Sequence, residues 1–347
     1  MDLYINILSF LWAFFVAIFA IPSIIFVAQA RHLFDIPNLR TVHQRLVPRL
    51  GGLAIFAGFV SSLTIFGDLD SGIKQMLAGA ILVFFIGLKD DIIPVSAFKK
   101  FFVQVLATGI VMYIGEVKIA SLYGILDVYT LSASISYPLT FLVIIGITNA
   151  VNLMDGVDGL AGVVILFICF FLGFCFFFWG DSNFQPYSTV CFALMGAIAG
   201  FLRFNLHKAV IFMGDTGSLV SGFIIAILAI KFVEMNPFPY TPVLVLAVLL
   251  VPIIDTIRVF LLRILMGLSP FSPDRNHLHH RLVDLGINQI FTVVILFFIN
   301  LAAICLVLFF KDESNNFITI LLGIYSITFI TIIELLYRRK VGRTDDI

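Results

Sequence analysis

Residues 160–179 read LAGVVILFICFFLGFCFFFW, a stretch without a charged side chain. An α-helix rises about 1.5 Å per residue, so these residues would extend over roughly 30 Å, the thickness of the hydrocarbon core of a bilayer. A run of this length and polarity is typical of a transmembrane helix. We therefore take it as one membrane span and ask how many more the chain contains.

Similar apolar runs recur along all 347 residues. Hydrophobic residues make up 61% of the chain and charged residues 12%, whereas soluble domains average about 45–50% and about 25%. This composition excludes a soluble domain, a disordered chain, a disulfide scaffold and a nucleic-acid-binding protein. We predict an all-α polytopic integral membrane protein with about eleven transmembrane helices. The predicted spans lie near 3–28, 51–67, 72–88, 100–115, 138–154, 160–179, 187–203, 217–231, 242–264, 288–310 and 317–337.

Basic residues divide the loops between these spans into two sets. One side carries only Lys74, Lys118, Lys231 and Lys311 of the 21 Lys and Arg residues. Because basic loops stay in the cytoplasm, we predict that the N-terminus is outside and the C-terminus cytoplasmic. The polar motifs fall on the basic side, which predicts a site at the boundary between membrane and cytoplasm. We treat 1–347 as a single integral-membrane domain whose cytoplasmic loops form that site. These loops lie near 29–50, 89–99, 152–160, 203–216 and 265–287.

The first polar motif, Gly87-Leu-Lys-Asp-Asp91, ends the third predicted span. Adjacent carboxylates repel each other, so they need a cation or hydrogen-bond donors, or one of them is protonated. Lys99 and Lys100 begin the next segment, where they either partner the aspartates or bind a phosphate. An ordinary solvated pair of loop carboxylates is the alternative.

The second motif, Asn149-Ala-Val-Asn-Leu-Met-Asp-Gly-Val-Asp-Gly-Leu160, has a polar residue at every third position. In a continuous helix Asn149, Asn152, Asp155 and Asp158 would be spread over about half the circumference. The glycines predict that the helix unwinds and wraps around a ligand. Amide and carboxylate oxygens suit a hard cation such as Mg²⁺, and a capped helix end is the alternative.

The third motif, Phe212-Met-Gly-Asp-Thr-Gly-Ser218, precedes the eighth predicted span. Backbone N–H groups at a helix start are suited to phosphate oxygens, which leaves Asp215 to hold a metal. Helix capping without any ligand is the alternative.

The fourth motif, Pro273-Asp-Arg-Asn-His-Leu-His-His-Arg281, contains three of the six histidines between two arginines. The spacing does not fit a structural zinc finger, and the flanking arginines favour binding of a diphosphate over a metal site or a structural loop. Asp255 and Arg258 lie at i and i+3 in the ninth predicted span, where we expect an intramembrane ion pair.

Together these motifs resemble those of the polyprenyl-phosphate N-acetylhexosamine-1-phosphate transferases, the integral-membrane family that includes bacterial phospho-MurNAc-pentapeptide translocase. The resemblance extends from Asp35-Ile-Pro-Asn38 to His280. It rests on Asp90-Asp91, Asn149-x-x-Asn-x-x-Asp-Gly-x-Asp-Gly159, Phe204-Asn205, Gly214-Asp-Thr-Gly-Ser218 and His277-x-His-His280.

The first cytoplasmic loop resembles one branch of this family. Asp35-Ile-Pro-Asn-x-Arg…His43…Val47-Pro-Arg-x-Gly-Gly52 looks like the branch that uses UDP-GlcNAc to begin O-antigen, enterobacterial common antigen or teichoic-acid linkage units. The implied reaction joins GlcNAc-1-phosphate from UDP-GlcNAc to undecaprenyl phosphate, giving undecaprenyl-diphospho-GlcNAc and UMP. Another UDP-HexNAc donor, including UDP-MurNAc-pentapeptide, is the first alternative, and a lipid or solute transporter is the second.

The resemblance also implies roles for individual residues. Mg²⁺, with Mn²⁺ as an alternative, would lie on Asp215 with the help of Asn152. Asp90 and Asp91 would position or deprotonate the lipid phosphate; because a phosphate monoester is mostly dianionic at pH 7, we favour positioning. The predicted catalytic residues are Asp90, Asp91, Asp155 and Asp158, and the predicted substrate-binding residues are Lys100, Asn149, Asn205, Phe212, Arg275, His277, His279 and His280.

The expected setting is the bacterial cytoplasmic membrane, with the site facing the cytoplasm. The expected partners are a UDP-N-acetylhexosamine, undecaprenyl phosphate and the lipid bilayer, without nucleic acid. A homodimer is compatible with the sequence.

Overall fold

The computed structural model describes residues 3–33, 47–70, 72–268 and 276–344, with side chains up to residue 340. These residues form α-helices and one π-helix, and they contain no strand beyond an isolated bridge between Ile125 and Val128. The all-α prediction is confirmed for this part of the chain. The helices are α1 Leu3–Ala30, α2 Gly51–Phe66, α3 Ile73–Ile92, α4 Ala97–Gly109 continued by the π-helix Ile110–Ile114, α5 Ala133–Leu153, α6 Leu160–Trp179, α7 Pro186–Asn205, α8 Gly214–Met235, α9 Thr241–Val248, α10 Leu250–Leu265, α11 Leu278–Asp284, α12 Gln289–Phe309 and α13 Asn315–Thr344.

Every predicted apolar run lies in helical structure, and the ninth run is divided between α9 and α10. Among the described residues, eight helices are long and apolar enough to cross a membrane, and the bent pair α9 and α10 raises the number to nine. α2 is apolar but only 16 residues long, and α3 carries Lys74, Lys89, Asp90 and Asp91 near its ends. The protein is a polytopic membrane protein. The count of eleven spans and the orientation of the termini remain predictions.

The ninth predicted span is not one continuous helix. α9 and α10 meet at an angle of 71°, because the backbone leaves the helical conformation at Leu249. Asn300 of α12 satisfies the backbone at this break: its Nδ2 donates to the carbonyl of Val248 at 2.8 Å, and its Oδ1 accepts from the N–H of Val251 at 3.1 Å. A broken helix within a membrane requires such partners, since lipid supplies none.

The chain divides into two compact units, of which the first comprises Met1–Leu122 and Thr130–Phe238. Its central element is α8, whose residues are buried almost without interruption from Thr216 to Phe232. A helix that is apolar on all sides is suited to burial among other helices. The prediction of a single transferase domain is not tested by this division.

The second unit comprises Tyr123–Tyr129 and Pro239–Ile347. It contains α9 to α13. The short helix α11 lies within the predicted loop 265–287 and was not predicted. Asn315 at the start of α13 donates to the carbonyls of Tyr123 and Pro239 at 2.7 and 2.9 Å, which joins the separate segment 123–129 to the rest of this unit.

Candidate active site

The start of α8 is fixed by a tight backbone corner. Gly214 has φ +71°, and a Cβ at this position would lie 2.2 Å from the carbonyl oxygen of Arg49. The N–H groups of Gly51 and Gly52 donate to the carbonyls of Phe212 and Met213, each at 2.9 Å. Only glycine adopts this conformation at low cost and leaves room for the neighbouring chain. The corner places the next residue, Asp215, in the first turn of α8.

Asp91 caps the N-terminus of α8. Its Oδ1 accepts from the N–H of Asp215 at 2.8 Å, and its Oδ2 accepts from the N–H of Thr216 at 2.9 Å and from the Thr216 hydroxyl. A carboxylate at this place also interacts favourably with the positive end of the helix dipole. We predicted that the N–H groups of this motif would be open to phosphate; the structure corrects this for Asp215 and Thr216, whose N–H groups are occupied by Asp91.

Asp90 has different partners from its neighbour. Its Oδ1 accepts from the N–H of Val95 at 2.7 Å, and its Oδ2 lies 3.2 Å from Nζ of Lys100. The same Nζ lies 2.9 Å from Oδ2 of Asp215. Lys100 therefore partners the aspartates, one of the two alternatives drawn from the sequence. Its single positive charge lies between two carboxylates that would otherwise repel each other, so the three groups together keep one net negative charge.

Asn152 completes the surroundings of Asp215. Its Nδ2 donates to Oδ1 of Asp215 at 3.2 Å and to the Ser218 hydroxyl at 2.8 Å, and that hydroxyl donates to the carbonyl of Gly214 at 2.7 Å. The end of α5 is thus joined to the first turn of α8. Asn152 therefore lies beside Asp215, and its predicted role as a metal ligand stays a prediction.

We tested whether this arrangement suits a metal ion. Among the described residues, no group of three or more His, Cys, Asp or Glu side chains could hold one. Mg²⁺, however, commonly takes one or two protein carboxylates and completes its shell with water and substrate phosphates. Asp215 and Asp90 are carboxylates with side chains 24% and 18% exposed, joined by one lysine. These oxygen donors fit a metal ion that binds together with a diphosphate.

The second motif forms the turn between α5 and α6, as its glycines predicted. α5 ends at Leu153, and Gly159, with φ +76°, precedes α6. Burial, together with the negative charges of Asp91 and Asp215, raises the pKa of Asp155 well above its ordinary value, against the opposing effect of Arg49. A cation arriving at this place would favour the ionised carboxylate.

Two other predicted residues hold this turn to the segment before α8. Oδ2 of Asp158 accepts from the N–H of Ala209 at 3.0 Å. Asn205 is buried; its Oδ1 accepts from the N–H of Gly159 at 2.9 Å and its Nδ2 donates to the carbonyl of Ile211 at 2.9 Å. These contacts give Asp158 and Asn205 a structural role, and their predicted roles towards substrate stay predictions.

Asn149 pairs with Gln104 through their two amides. Nδ2 of Asn149 donates to Oε1 of Gln104 at 2.9 Å, and Nε2 of Gln104 donates to Oδ1 of Asn149 at 3.3 Å. The pair connects α5 with α4, which carries Lys100 one turn earlier. Asn149 therefore helps to place Lys100, whereas its predicted contact with substrate is untested.

The histidine motif lies in the second unit, around the start of α11. Nδ1 of His277 lies 2.9 Å from Oδ2 of Asp255, and the N–H of Leu278 donates to Oδ1 of Asp255 at 2.8 Å. His279 is 1% exposed, and its Nε2 has no hydrogen-bond partner among the described residues. Burial lowers the pKa of His279 to about 3, so this imidazole is neutral at physiological pH.

Asp255 and Arg258 do not form the ion pair that their spacing predicted. Asp255 turns towards His277, whereas Nη2 of Arg258 lies 2.9 Å from Oε2 of Glu334 on α13. Spacing along α10 made the pairing plausible, but each side chain meets a stronger partner on another segment. Nη1 of Arg258 also donates to the carbonyl of Asn276.

Some predicted residues cannot be placed. Arg275 and the loop positions 35–38 and 43 lie outside the described residues. Phe212 is partly buried and contributes its backbone to the corner before α8: its N–H donates to the carbonyl of Pro48 at 2.8 Å. Its predicted contact with uridine is untested.

The chain is similar in sequence to known bacterial transferases. The model of glycosyl transferase family 4 matches residues 73–233, a range that includes all the aspartates of the first unit's site. A probable undecaprenyl-phosphate N-acetylglucosaminyl 1-phosphate transferase of Bacillus subtilis (strain 168) is 34% identical over 267 residues, 76% of this chain and 74% of the relative. The chain belongs to glycosyl transferase family 4. The resemblance drawn from the motifs is thereby confirmed, and the protein is a phosphotransferase of this family.

Two further relatives carry similar names. A decaprenyl-phosphate N-acetylglucosaminephosphotransferase of Mycobacterium tuberculosis (strain ATCC 25618 / H37Rv) is 33% identical over 293 residues, 75% of this chain and 71% of the relative. An undecaprenyl-phosphate alpha-N-acetylglucosaminyl 1-phosphate transferase of Escherichia coli (strain K12) is 32% identical over 269 residues, again 75% and 71%.

Sequence reasoning missed several residues that organise these sites. Thr216 and Ser218 receive no individual role from the motif, although the Thr216 hydroxyl donates to Asp91 and the Ser218 hydroxyl donates to the carbonyl of Gly214. Glu334 is an acidic residue inside an apolar run, and such a residue in a membrane protein indicates a buried partner or a function. Nothing in the sequence around Asp91 indicates that it caps α8, because its partners lie more than 120 residues away.

Proposed function

We propose that this family 4 transferase moves GlcNAc-1-phosphate from UDP-GlcNAc to undecaprenyl phosphate, producing undecaprenyl-diphospho-GlcNAc and UMP. The observation that carries the proposal is the Asp90–Lys100–Asp215 arrangement, within a chain whose relatives are named for the same transfer. In this reaction an oxygen of the lipid phosphate attacks the phosphorus attached to the sugar. The bond from that phosphorus to the bridging oxygen breaks, and UMP leaves with the electron pair.

The acceptor needs no strong base. A phosphate monoester is mostly dianionic at pH 7, because its second pKa is near 6, so its oxygen is already nucleophilic. Lys100 would bind this dianion, and Asp90 would hold the Lys100 ammonium in place through their 3.2 Å contact. Positioning of this kind is the main contribution of protein side chains to phosphoryl transfer.

Asp215 would hold Mg²⁺, with Mn²⁺ as an alternative and with Asn152 beside it. When bound, the ion would neutralise charge on the donor diphosphate and on the leaving UMP. Asp91 would act through the helix start: its bonds to the N–H groups of Asp215 and Thr216 fix the direction of the Asp215 carboxylate. Asp155, whose pKa burial raises, would become ionised if a cation bound beside it.

We further propose that the site faces the cytoplasm. The segregation of basic residues in the sequence supports this orientation, and UDP-sugars are cytoplasmic metabolites. The histidine motif, with Arg275, would recognise the donor phosphates and sugar. The product would begin the synthesis of a cell-envelope polysaccharide.

The test is an exchange assay. Protein purified in detergent should transfer labelled UMP into UDP-GlcNAc when undecaprenyl phosphate and Mg²⁺ are present, and chelation by EDTA should abolish the exchange reversibly. Parallel reactions with UDP-GalNAc and UDP-MurNAc-pentapeptide determine the donor. Folded protein that exchanges none of the three donors would contradict the proposal.

The metal assignment has its own variant. Asp215→Asn should reduce exchange by at least about 100-fold, since one metal ligand is lost while the side chain keeps its shape. Asp68→Asn is the control, because Asp68 is exposed and its Oδ1 accepts from the nearby N–H of Asp70. Near-normal exchange in Asp215→Asn would remove Asp215 as the metal ligand.

A further inference from the structure

The segment from Asn276 to Arg281 is held by two carboxylates from different helices. Asp255 comes from α10 and Glu334 from α13. We propose that these two residues are positioning residues for the histidine motif, acting through His277 on recognition of the donor UDP-GlcNAc. This inference rests on the proposed function.

Asp255 fixes the beginning of the motif with both of its oxygens. Oδ2 accepts from Nδ1 of His277 and Oδ1 accepts from the N–H of Leu278, so one buried carboxylate sets the position of two consecutive residues. Because a carboxylate only accepts, Nδ1 of His277 carries the proton. Nε2, the other ring nitrogen, is then the one that we assign to the donor substrate, as in other carboxylate–histidine pairs.

Glu334 fixes the same segment through two arginines. Its Oε2 lies 2.9 Å from Nη2 of Arg258 and 3.8 Å from Nε of Arg281. Arg258 donates to the carbonyl of Asn276, and Nη2 of Arg281 donates to Oδ1 of Asn276 at 2.7 Å. Asn276, the residue immediately before His277, is therefore held by hydrogen bonds to its backbone carbonyl and to its side chain.

The Arg281 guanidinium is further restricted by an aromatic ring. It lies 3.9 Å from the centre of the Tyr337 ring, one turn along α13 from Glu334, a distance typical of a cation–π contact. Arg338 adds a third cation at 3.2 Å from Glu334. Without the Glu334 carboxylate, three arginines would lie close together with no counter-charge, and the two that hold Asn276 would separate.

This arrangement provides orientation more than stability. Ion pairs with little exposure give small net stabilisation, because desolvation offsets most of the Coulomb attraction. A short loop helix such as α11 needs only a serine or an asparagine as its cap. Asp255 holds His277 directly, and Glu334 holds Asn276 through Arg258 and Arg281. Support from two helices is what a preorganised ligand contact requires.

The experiment is a pair of double-mutant cycles on the full-length protein in detergent. Asp255→Asn and Glu334→Gln are made alone and combined with His277→Ala, and kcat and KM for UDP-GlcNAc are measured. Each single variant should raise KM about 10-fold to 100-fold with kcat changed less than about 3-fold, as expected for lost ground-state binding. In the His277→Ala background the same substitutions should change KM less than about 2-fold.

Two controls separate positioning from loss of folding. Glu334→Asp keeps the charge and should recover part of the lost affinity. Glu234→Gln removes a carboxylate that pairs with Lys231 at 2.8 Å in the first unit, and its KM should equal that of the unsubstituted protein. Should Asp255→Asn not yield folded protein, the Glu334→Gln cycle decides the proposal alone.

Additive effects in the His277→Ala background would overturn the inference, as would a fall in kcat at unchanged KM. Both results require an active unsubstituted protein. Absence of turnover in the unsubstituted protein would instead contradict the proposed function, so the two failures are distinguishable.

Discussion

Replacing Asp91 by Asn separates the roles of two adjacent aspartates. The Asn side chain keeps the shape of Asp but loses the negative charge at the start of α8. Its one amide oxygen replaces two carboxylate oxygens that now serve the N–H groups of Asp215 and Thr216 and the Thr216 hydroxyl. At least one of these donors loses its acceptor, and the amide nitrogen brings a further donor to the same place.

The expected cost follows from these losses. Loss of the charge at a helix N-terminus costs about 0.3–1 kcal/mol, and a poorly solvated donor without an acceptor costs about 1–3 kcal/mol. Together they lower the free energy of unfolding by about 1.3–4 kcal/mol. At about 2–4 °C for each kcal/mol, the apparent melting temperature should fall by at least about 3 °C.

Asp90→Asn is the matched variant. Its amide oxygen can still accept from the N–H of Val95, and only the partly exposed contact with Lys100 is weakened. Such a pair contributes about 1 kcal/mol or less, so the melting temperature should fall less than in Asp91→Asn, while exchange activity falls. Scanning fluorimetry in detergent and the UMP exchange assay measure both quantities. Equal melting temperatures for the two variants would refute the assignment of Asp91 as the cap of α8.

Three other outcomes follow from the structure. Gly214→Ala should lower the melting temperature and abolish exchange, because Gly214 has φ +71° and the new methyl group would lie 2.2 Å from the Arg49 carbonyl oxygen. Gly146→Ala is the control, because a Cβ at Gly146 meets nothing within 4 Å. It should leave exchange unchanged and leave the melting temperature unchanged or higher. Asn300→Ala should lower the melting temperature, with about 1–3 kcal/mol lost for each unpaired backbone group at the break between α9 and α10; an unchanged value would show that water or another side chain serves these groups. His279 takes up a proton near pH 6.5 when unfolded but only near pH 3 when folded, so the unfolded chain binds more protons between these values and stability falls on acidification. The drop in melting temperature between about pH 7 and pH 5 should therefore be smaller in His279→Gln, and an equal drop would contradict the buried, neutral imidazole.

The helices were largely predictable, because a helix that crosses a bilayer needs a run of about 20 apolar residues. Each apolar run of the required length coincides with a helix, and the glycines at 156 and 159 predicted the break between α5 and α6. The break at Leu249 was not predictable in the same way. Its backbone partner, Asn300, lies on α12, about 50 residues later.

The residues of the aspartate site were predictable from the sequence, but the partner of each residue was not. Asp90, Asp91, Asn152 and Asp215 could be named from residue type and spacing, since hard oxygen donors and glycine corners are recognisable in a sequence. Which of the adjacent aspartates meets Lys100 and which caps α8 depends on how α3, α4 and α8 pack.

The sequence by itself determined the membrane class, the helical spans and the family, because apolar run length and local motifs are properties of neighbouring residues. Only the tertiary structure decided the partners of the charged side chains: Asp91 with the start of α8, Asp255 with His277 and Arg258 with Glu334. The physical reason is that a charge in a poorly solvated interior pairs with whatever counter-charge or donor lies within about 3 Å. That neighbour is set by helices that are distant in sequence.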